Sequence, residues 1–243
     1  MIKSISVVYP VFNEEKRLKK TFEDINKFEK KNKNLKKEYI FVNDGSTDRS
    51  IKIIKTNFKN KKNVKIISYK KNLGKGYALK KGVKNAKNKW IITIDSDCSV
   101  SLFQLIEWIK KKYFDDYTFI YFASRNHQLS KVKKKKIRKF IGLLFKFLIF
   151  IFFKIKISDT QCGFKVYKSN IAKKIFKKIR IYDYVHDIEI CLLAKELSMK
   201  IKILPVKWTH IEGSKISFVN DTFKVLKSLI KLSKRKYKTF SNK

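Results

Sequence analysis

The chain has 243 residues, of which 44% are hydrophobic and 33% are charged, so its length and apolar content suit one domain with a sizeable core. A total of 60 Lys and Arg against 20 Asp and Glu gives a formal net charge of +40, which indicates an anionic partner: a nucleic acid, a membrane surface or a phosphorylated substrate. The three cysteines form no CxxC or His/Cys pattern, which argues against a structural zinc site and favours reduced thiols in a cytosolic setting.

The first half of the chain alternates between strand patterns and helix patterns. The N-terminal segment has no long apolar stretch and no small-residue cleavage site, so we interpret it as a first strand and not as a signal peptide. Apolar residues at helical spacing follow most of the strand-like runs, beginning with a helix predicted from Glu14. The strand-like runs are, in chain order, SISVVYP, EYIFVND, NVKIISY, WIITID and YTFIYFAS.

This alternating order predicts an α/β fold with a mostly parallel sheet and helices on both faces. In sheets of this kind, ligands bind beyond the carboxyl ends of the strands. Four residues fall at or just past such an end: Pro10, Asp44, Asp95 and Arg125. We therefore expect the functional site at this edge of the sheet.

Two basic amphipathic segments follow. Residues 131–156 begin with a basic run and contain an apolar stretch over 140–153, which is shorter than the ~20 residues that span a bilayer. Residues 217–238 place apolar side chains on one helical face and lysines on the other. We predict that both are helices at an anionic membrane, the first either interfacial or re-entrant and the second interfacial; the alternative is that their apolar faces pack against the core. We assign residues 1–243 to a single domain that includes both segments.

Two acids stand one residue apart at the end of the fourth strand-like run. Residues two apart in a strand face the same side, so we expect Asp95 and Asp97 to point at one place. Two carboxylates repel each other unless a cation lies between them, and hard oxygen ligands favour Mg²⁺ or Mn²⁺. The many lysines support an anionic ligand beside that cation. As an isolated motif, such a pair is weak evidence, because most short acidic motifs are surface acids.

The acidic pair is one of a series of motifs in a fixed order: VVYPVFNEE, VNDGSTDRS, NLGKGYALKKG, IDSDCS, DTQCGFKVY and PVKWTHIEGSKIS. With these motifs the chain resembles the glycosyltransferase family 2 enzymes, which have the GT-A fold. Within the family it is similar to the dolichyl-phosphate glucosyltransferases and their bacterial polyprenyl-phosphate relatives. The resemblance covers nearly the whole chain. The run DSDCS departs from the pattern of this branch, which more usually has small Ala or Gly neighbours.

The resemblance implies a nucleotide-sugar site at the strand ends. Asp44 would bind the base or ribose, and the NLGKG turn would bring backbone amides and Lys75 to the diphosphate. Asp95 would contact the nucleotide sugar and Asp97 would hold the metal, with both acids as candidate metal ligands. The residues implied to bind the donor are Pro10, Asn13, Glu14, Asp44, Lys75, Asp95 and Asp97.

The resemblance also implies an acceptor site. Arg125 and Arg138 are two of only six arginines in a lysine-rich chain, and they would hold the acceptor phosphate; membership of a solvated lysine run is an equal alternative for Arg138. A phosphomonoester is already largely dianionic near pH 7, so it can attack the anomeric carbon without a general base. Asp187 would then orient groups around the site. The candidate catalytic residues are Asp97, Arg125, Arg138 and Asp187, and the weaker candidate contacts to acceptor or sugar are Asp159, Gln161 and Glu189.

The favoured function is an inverting, metal-dependent hexosyltransferase at the cytoplasmic face of a membrane. It would move glucose from UDP-glucose to a polyprenyl phosphate such as dolichyl or undecaprenyl phosphate, with Mg²⁺ or Mn²⁺ as cofactor. Within the family, the alternatives are GDP-mannose as the donor or a glycan hydroxyl as the acceptor. A non-enzymatic nucleic-acid binder would interleave stacking aromatics with basic residues, whereas the aromatics here cluster in an apolar run, so we expect no nucleic-acid partner. A structural membrane-surface protein would leave the strand-end motifs unexplained.

Overall fold

The computed structural model describes residues 2–133, 153, 155, 157, 159–211 and 218–235. The strands are β1 Ser4–Val11, β2 Lys36–Asp44, β3 Val64–Tyr69, β4 Trp90–Thr93, β5 Ile120–Ser124, β6 Lys131–Lys133, β7 Lys165–Lys168, β8 Ile201–Pro205 and β9 Lys207–Thr209. The helices are α1 Leu18–Lys31, α2 Ser50–Asn57, α3 Lys75–Asn85, α4 Phe103–Lys110, α5 Ser169–Lys178, α6 His186–Glu196 and α7 Phe218–Ser233.

Seven strands form one sheet in the order β3–β2–β1–β4–β7–β5–β8, and β6 pairs with β9 in a separate two-stranded sheet. Neighbours in the larger sheet run parallel, except that β7 is antiparallel to both β4 and β5. The register sets Thr93, the last residue of β4, opposite Val8 of β1, so β4 ends three residues before β1 does. The predicted mostly parallel sheet is confirmed, and this early end of β4 leaves room at the carboxyl edge.

Hydrophobic side chains cover both faces of the sheet. Along β1, Val7 and Tyr9 belong to one cluster and Val8 to the other, because successive strand side chains point to opposite faces. Helices α1, α2 and α4 cover the first cluster, and α3, α5 and α6 cover the second. Trp108 of α4 is fully buried, and its indole N–H donates to the Pro205 carbonyl over 2.8 Å. Truncating such a core side chain costs about 3–5 kcal/mol, so Trp108 contributes strongly to the stability of the sheet and α4.

Helix α1 begins at Leu18, four residues later than the start predicted at Glu14. Residues 14–17 form a turn instead, in which the Glu14 carbonyl accepts the N–H groups of Arg17 and Leu18. The Glu14 N–H donates to the Ser50 hydroxyl over 2.7 Å. This contact from α2 holds the segment out of the helix and keeps it at the carboxyl edge of the sheet.

The predicted interfacial segment of residues 131–156 does not begin as a helix. Lys131–Lys133 forms β6 because the Lys131 N–H donates to the Val206 carbonyl over 3.0 Å, which aligns the segment with β9. Residues 134–152, 154 and 156 lie outside the described residues, and with them lies most of the apolar stretch. Among the described residues, no helix is both long enough and apolar enough to cross a bilayer.

The predicted segment 217–238 contains α7, and residues 217 and 236–238 lie outside the described residues. Leu229 and Leu232 of α7 are buried in a cluster with side chains of α6, so the core-packing alternative applies to them. Leu226 and Ile230 are 40% and 42% exposed. The apolar stripe of α7 is therefore divided between the protein interior and the surface.

Candidate active site

A cavity of about 580 Å³ opens beyond the carboxyl ends of β1, β2, β4 and β5. Asn13, Asp159 and Glu189 lie outside its lining in the described part of the chain, and Arg138 lies outside the described residues. The site residues predicted from the sequence that do line it are Pro10, Glu14, Asp44, Lys75, Asp95, Asp97, Arg125, Gln161 and Asp187. The fold thus brings most of the predicted residues into one cavity.

Asp95 lies two residues past β4 and is paired with Lys75 at the start of α3, with Lys75 Nζ 2.5 Å from Asp95 Oδ1. Burial raises the pKa of Asp95, but the ammonium groups of Lys75 and Lys165 together hold that pKa below its usual value. Gly163 packs against the same carboxylate, since a Cβ there would lie 2.2 Å from Asp95 Oδ2. Lys75 therefore helps to keep Asp95 ionised, and the close packing of Gly163 limits the directions that its carboxylate can take.

Asp97 lies in a turn and not in a strand. Because β4 ends at Thr93, the strand alternation from which we predicted a shared direction for the two acids does not apply. Instead, the Asp97 carboxylate accepts the Ser99 N–H over 2.9 Å, across Cys98 with its φ of +58°. Burial and the Asp95 charge raise the pKa of Asp97. The two acids still line the same cavity. A cation bound beside them would favour the ionised form of Asp97 and so offset the effect of burial and of Asp95.

The acidic pair offers few but suitable ligands for a divalent cation. Among the residues that the structure describes, no group of three or more His, Cys, Asp or Glu side chains could hold a metal ion. Mg²⁺ commonly takes only one or two carboxylates from a protein and completes its shell with substrate phosphates and water. Asp95 and Asp97 therefore fit a cation that is shared with a diphosphate ligand.

Asp44, at the end of β2, shapes the glycine turn before α3. Its Oδ1 accepts the Leu73 N–H over 2.8 Å, and its Oδ2 accepts the Gly74 N–H over 2.9 Å. The Gly76 N–H donates to the Tyr182 carbonyl. The prediction that the backbone amides of this turn face a diphosphate is wrong for these three groups, because acceptors of the protein already occupy them. Gly74 has a φ of +99°, and a Cβ there would lie 2.5 Å from the Tyr182 carbonyl oxygen, so the turn requires glycine.

Asn13 joins two loops at the edge of the cavity. It has a φ of +51°, and its Oδ1 accepts the N–H groups of Thr47 over 2.7 Å and Asp48 over 3.3 Å. Its own N–H donates to the Ser46 hydroxyl over 3.0 Å. Asn13 thus holds the β1–α1 loop against the β2–α2 loop, and its side chain does not line the cavity in which it was predicted to lie.

Arg125, one residue past β5, is held by Asp159. Its Nε and Nη2 donate to the two oxygens of Asp159 over 2.8 and 2.7 Å, and its backbone N–H donates to the same carboxylate over 2.8 Å. Burial raises the pKa of Asp159, but the guanidinium outweighs burial and keeps that pKa below its usual value. The guanidinium lies 5.7 Å from the Trp208 ring and has N–H groups left for an anion. Asp159 is therefore a support for Arg125 and not a contact within the cavity.

Asp187 lies in the first turn of α6, where its carboxylate meets a buried lysine. Lys165 Nζ donates to Asp187 Oδ1 over 2.7 Å and to the Cys162 carbonyl over 2.8 Å. Burial raises the pKa of Asp187, but the neighbouring His186 and Lys165 hold it below its usual value. Burial lowers the pKa of His186, whose Nδ1 lies 2.6 Å from the Asp183 carbonyl oxygen. Asp187 therefore enters the cavity as a carboxylate.

Glu189 lies on the same helix as Asp187 but outside the cavity lining, and it is fully buried. Its Oε2 accepts the N–H groups of Arg180 and Ile181 over 2.9 and 2.7 Å, and its Oε1 is paired with Arg235 beyond α7. The predicted contact of Glu189 with sugar or acceptor is therefore replaced by a structural role, since its carboxylate joins α7 to the loop before α6.

Several side chains of the site were not predicted from the sequence, and three of them are basic residues. Arg17 and His210 line the cavity, and Lys165 supports Asp187 from behind it. The scarcity of arginine, which singled out Arg125, could have identified Arg17 as well, and His210 lies in the last of the ordered motifs. Lys165 could not be distinguished among so many lysines, because only the fold shows that it is buried.

Comparison with known proteins identifies the family. A model of the family described as Glycosyl transferase family 2 matches residues 6–176. A dolichyl-phosphate beta-glucosyltransferase of Dictyostelium discoideum is 33% identical over 241 residues, which cover 94% of this chain and 73% of that protein. Dolichyl-phosphate beta-glucosyltransferase ALG5A of Trichomonas vaginalis is 31% identical over 235 residues, and the dolichyl-phosphate beta-glucosyltransferase of Homo sapiens is 30% identical over 230 residues. These matches cover 94% and 88% of this chain, and 72% and 70% of the two relatives.

Solved structures agree on the fold. Glucosyl-3-phosphoglycerate synthase from Mycobacterium tuberculosis in complex with UDP superposes with a TM-score of 0.68 at 14% identity, covering 95% of this chain and 80% of that one. Its complex with Mn²⁺ and UDP-glucose gives the same TM-score and covers 79% of that chain. At this identity the likeness shows the GT-A fold alone, as predicted. The match to the family model and to relatives along most of their length shows that the chain is a glycosyltransferase and belongs to glycosyl transferase family 2.

Proposed function

We propose that this glycosyltransferase moves glucose from UDP-glucose to the phosphate of a polyprenyl phosphate, with inversion at the anomeric carbon. The observation that carries the proposal is that one cavity joins an acidic pair, Asp95 and Asp97, to a clamped cation, Arg125. The acids suit a metal-bound diphosphate, and the arginine suits a phosphate acceptor. The relatives of similar sequence are named for glucosyl transfer with dolichyl phosphate, which supports this donor sugar and acceptor class. We assign the whole of residues 1–243 to this single activity.

At the donor end, Asp97 would hold a divalent cation, with Asp95 as the second candidate ligand. When bound, Mn²⁺ or Mg²⁺ supplies Lewis-acid stabilisation of the departing nucleoside diphosphate. A complex of the Mycobacterium tuberculosis synthase contains Mn²⁺ and UDP-glucose, which supports this choice of ion. Lys75 is paired with Asp95, which would contact the sugar, and Pro10 and Asp44 line the cavity where they would contact the nucleoside.

At the acceptor end, Arg125 would bind the acceptor phosphate with the N–H groups that Asp159 leaves unused. A phosphate oxygen attacks the anomeric carbon while the bond from that carbon to the diphosphate breaks, and the bonding electrons leave with the nucleoside diphosphate. Because the phosphate is already largely dianionic near pH 7, no side chain has to accept a proton. Asp187 would orient sugar hydroxyls as a carboxylate, and Gln161 is a further candidate contact in the same cavity.

We further propose that α7 contacts the membrane surface from which the acceptor comes. Its outward face combines Leu226 and Ile230 with Lys227 and Lys231, and all four side chains are exposed. Lysines attract anionic lipid headgroups, and apolar side chains between them can enter the headgroup boundary. The cytoplasmic face of the membrane fits the absence of disulfides among the cysteines, all three of which are described and free.

The experiment that tests the proposal is a transfer assay on the purified chain. Polyprenyl phosphate in vesicles is offered together with UDP-glucose, UDP-galactose, UDP-N-acetylglucosamine or GDP-mannose, each with a labelled sugar. We expect label in the lipid phase from UDP-glucose, its loss on addition of a chelator, and its return with Mn²⁺ or Mg²⁺. Transfer from GDP-mannose and not from UDP-glucose would contradict the proposed donor and favour mannose transfer. Failure of all four donors, together with steeply salt-dependent duplex binding, would favour a nucleic-acid binder and overturn the proposal.

A further inference from the structure

Arg17 lies in the turn between β1 and α1 and lines the donor end of the cavity. Its Nε donates to Glu14 Oε2 over 2.5 Å, and its Nη2 is paired with Glu14 Oε1. The two side chains are only 14% and 11% exposed. A bidentate pair of this kind fixes the plane of the guanidinium, so Arg17 is held in one orientation.

The remaining edge of the guanidinium faces the acidic pair. Arg17 Nη1 lies 3.8 Å from Asp97 Oδ2, which is beyond hydrogen-bond distance. The pair with Glu14 uses two of the five N–H donors of the side chain, and three remain. The pair with Glu14 is enough to close the turn, so the three remaining N–H donors are available to a ligand in the cavity.

Two cations flank the acidic pair, one beside each acid. Lys75 Nζ is in direct contact with Asp95, whereas Arg17 stands off from Asp97 and keeps donors in reserve. The diphosphate of a nucleotide sugar is an anion that gains one more negative charge when its bond to the sugar breaks. At this end of the cavity, Arg17 is therefore placed to meet a diphosphate that a cation on Asp97 would also attract.

We propose that Arg17 binds the diphosphate of the nucleotide-sugar donor, and that Glu14 is the residue that positions it. The planar fork of arginine matches phosphate oxygens, and a fixed cation near the leaving group stabilises the charge that develops there. Glu14 was predicted to bind the donor; it lines the cavity, where its carboxylate is paired with Arg17. The inference rests on the nucleotide-sugar donor of the proposed function and not on its lipid acceptor.

Calorimetric titration of the full chain with UDP and with uridine, in the presence of Mn²⁺, tests this role. In Arg17→Gln the affinity for UDP should fall by about 10- to 100-fold, as expected for the loss of a charge-assisted contact. The affinity for uridine should change by less than about twofold, because uridine lacks the diphosphate. Arg17→Lys should retain part of the preference for UDP, since it keeps the charge but not the fork.

Arg49→Gln is the matched control. Arg49 is also paired with a nearby glutamate, Glu15, but its side chain is 79% exposed. This variant should leave both affinities unchanged. Glu14→Gln should weaken UDP binding less than Arg17→Gln does, and should add little to it in the double variant, because it acts through Arg17.

An unchanged affinity for UDP in Arg17→Gln, or equal losses for UDP and uridine, would overturn the proposal. A lower melting temperature with an unchanged ratio of the two affinities would make Arg17 a purely structural residue, with the same consequence. A wild-type chain that binds UDP but transfers no sugar to lipid would contradict the proposed function. The effect of Arg17→Gln on UDP binding could still be interpreted in that case. Binding of neither UDP nor uridine by the wild type would overturn both.

Discussion

Lys165 and Asp187 form a buried ion pair, with Lys165 Nζ 2.7 Å from Asp187 Oδ1 and side chains that are 3% and 4% exposed. Burying two charges is unfavourable unless further hydrogen bonds accompany the pair. Lys165 has such a bond to the Cys162 carbonyl, and its ammonium lies 4.9 Å over the Phe122 ring. Asp187 lines the cavity, so the pair connects a residue of the site to the core behind it.

Lys165→Met should lower the free energy of unfolding by about 3–5 kcal/mol, because it leaves the Asp187 carboxylate buried without its partner. Adding Asp187→Asn to the same chain should restore part of that loss, since the uncompensated charge is then gone. Urea unfolding followed by circular dichroism measures both changes.

Lys168→Met, on the same strand, is the control for this prediction. The Lys168 ammonium lies 4.4 Å over the Phe119 ring, and loss of such a contact should cost about 1 kcal/mol or less. If Lys165→Met lowered the free energy of unfolding no more than Lys168→Met does, the ion pair with Asp187 would not contribute to stability as proposed.

Two glycines have an equally close neighbour in different surroundings. A Cβ at Gly163 would lie 2.2 Å from Asp95 Oδ2 at the cavity, and a Cβ at Gly82 would lie 2.2 Å from Val8 Cγ1 in the core. Gly163→Ala should displace the Asp95 carboxylate and reduce turnover by about 10- to 100-fold with little change in melting temperature. Gly82→Ala should instead lower the free energy of unfolding by about 1–3 kcal/mol and keep turnover per folded molecule. Full turnover in Gly163→Ala would show that the direction of Asp95 is unimportant.

Asp159→Asn should lower the free energy of unfolding in a pH-dependent way. The pKa of Asp159 is depressed in the folded state, so its contribution is present above the unfolded value of about 3.9 and is lost as the pH falls through the folded value. We expect the wild type to be more stable than the variant by about 2–4 kcal/mol near pH 7, with the gap closing below about pH 4. Denaturant unfolding between pH 3 and pH 7 measures the gap. A gap that stayed constant or widened in acid would contradict the ion pair with Arg125.

Asp97→Asn should weaken the binding of Mn²⁺ in the presence of UDP by at least about tenfold, because one of two carboxylate ligands is lost. Electron paramagnetic resonance of free Mn²⁺ measures the affinity without reference to turnover. The exposed Asp116 serves as the control, and Asp116→Asn should bind Mn²⁺ as the wild type does. Equal affinities in all three proteins would remove Asp97 from the metal site.

The sequence was most informative where chemistry follows a strand directly. Pro10, Asp44, Asp95 and Arg125 could be placed in one cavity because the carboxyl ends of parallel strands meet at one edge. The side chain with which each carboxylate pairs could not be predicted, because the two partners are far apart in the sequence and only the fold brings them together. Arg125 and Asp159 are 34 residues apart.

The same limit applies to Glu189, which was predicted as a weaker contact to the acceptor or the sugar. Only the folded chain brings Arg235 to it across 46 residues and so gives it a structural role. The start of α1 was missed for a related reason: a hydrogen bond from Glu14 to Ser50 in another element outweighed the local helical pattern.

The central claim is that the acceptor phosphate is itself the nucleophile, bound in the same cavity as the nucleotide sugar. The most direct measurement compares transfer of labelled glucose from UDP-glucose to polyprenyl phosphate and to the polyprenol of equal chain length, in vesicles of the same composition. The account predicts a glucosyl phosphate lipid from the first acceptor. It predicts no product from the second, because an alcohol must lose a proton to a side chain as it attacks, whereas the phosphate does not. Comparable transfer to the polyprenol would contradict it.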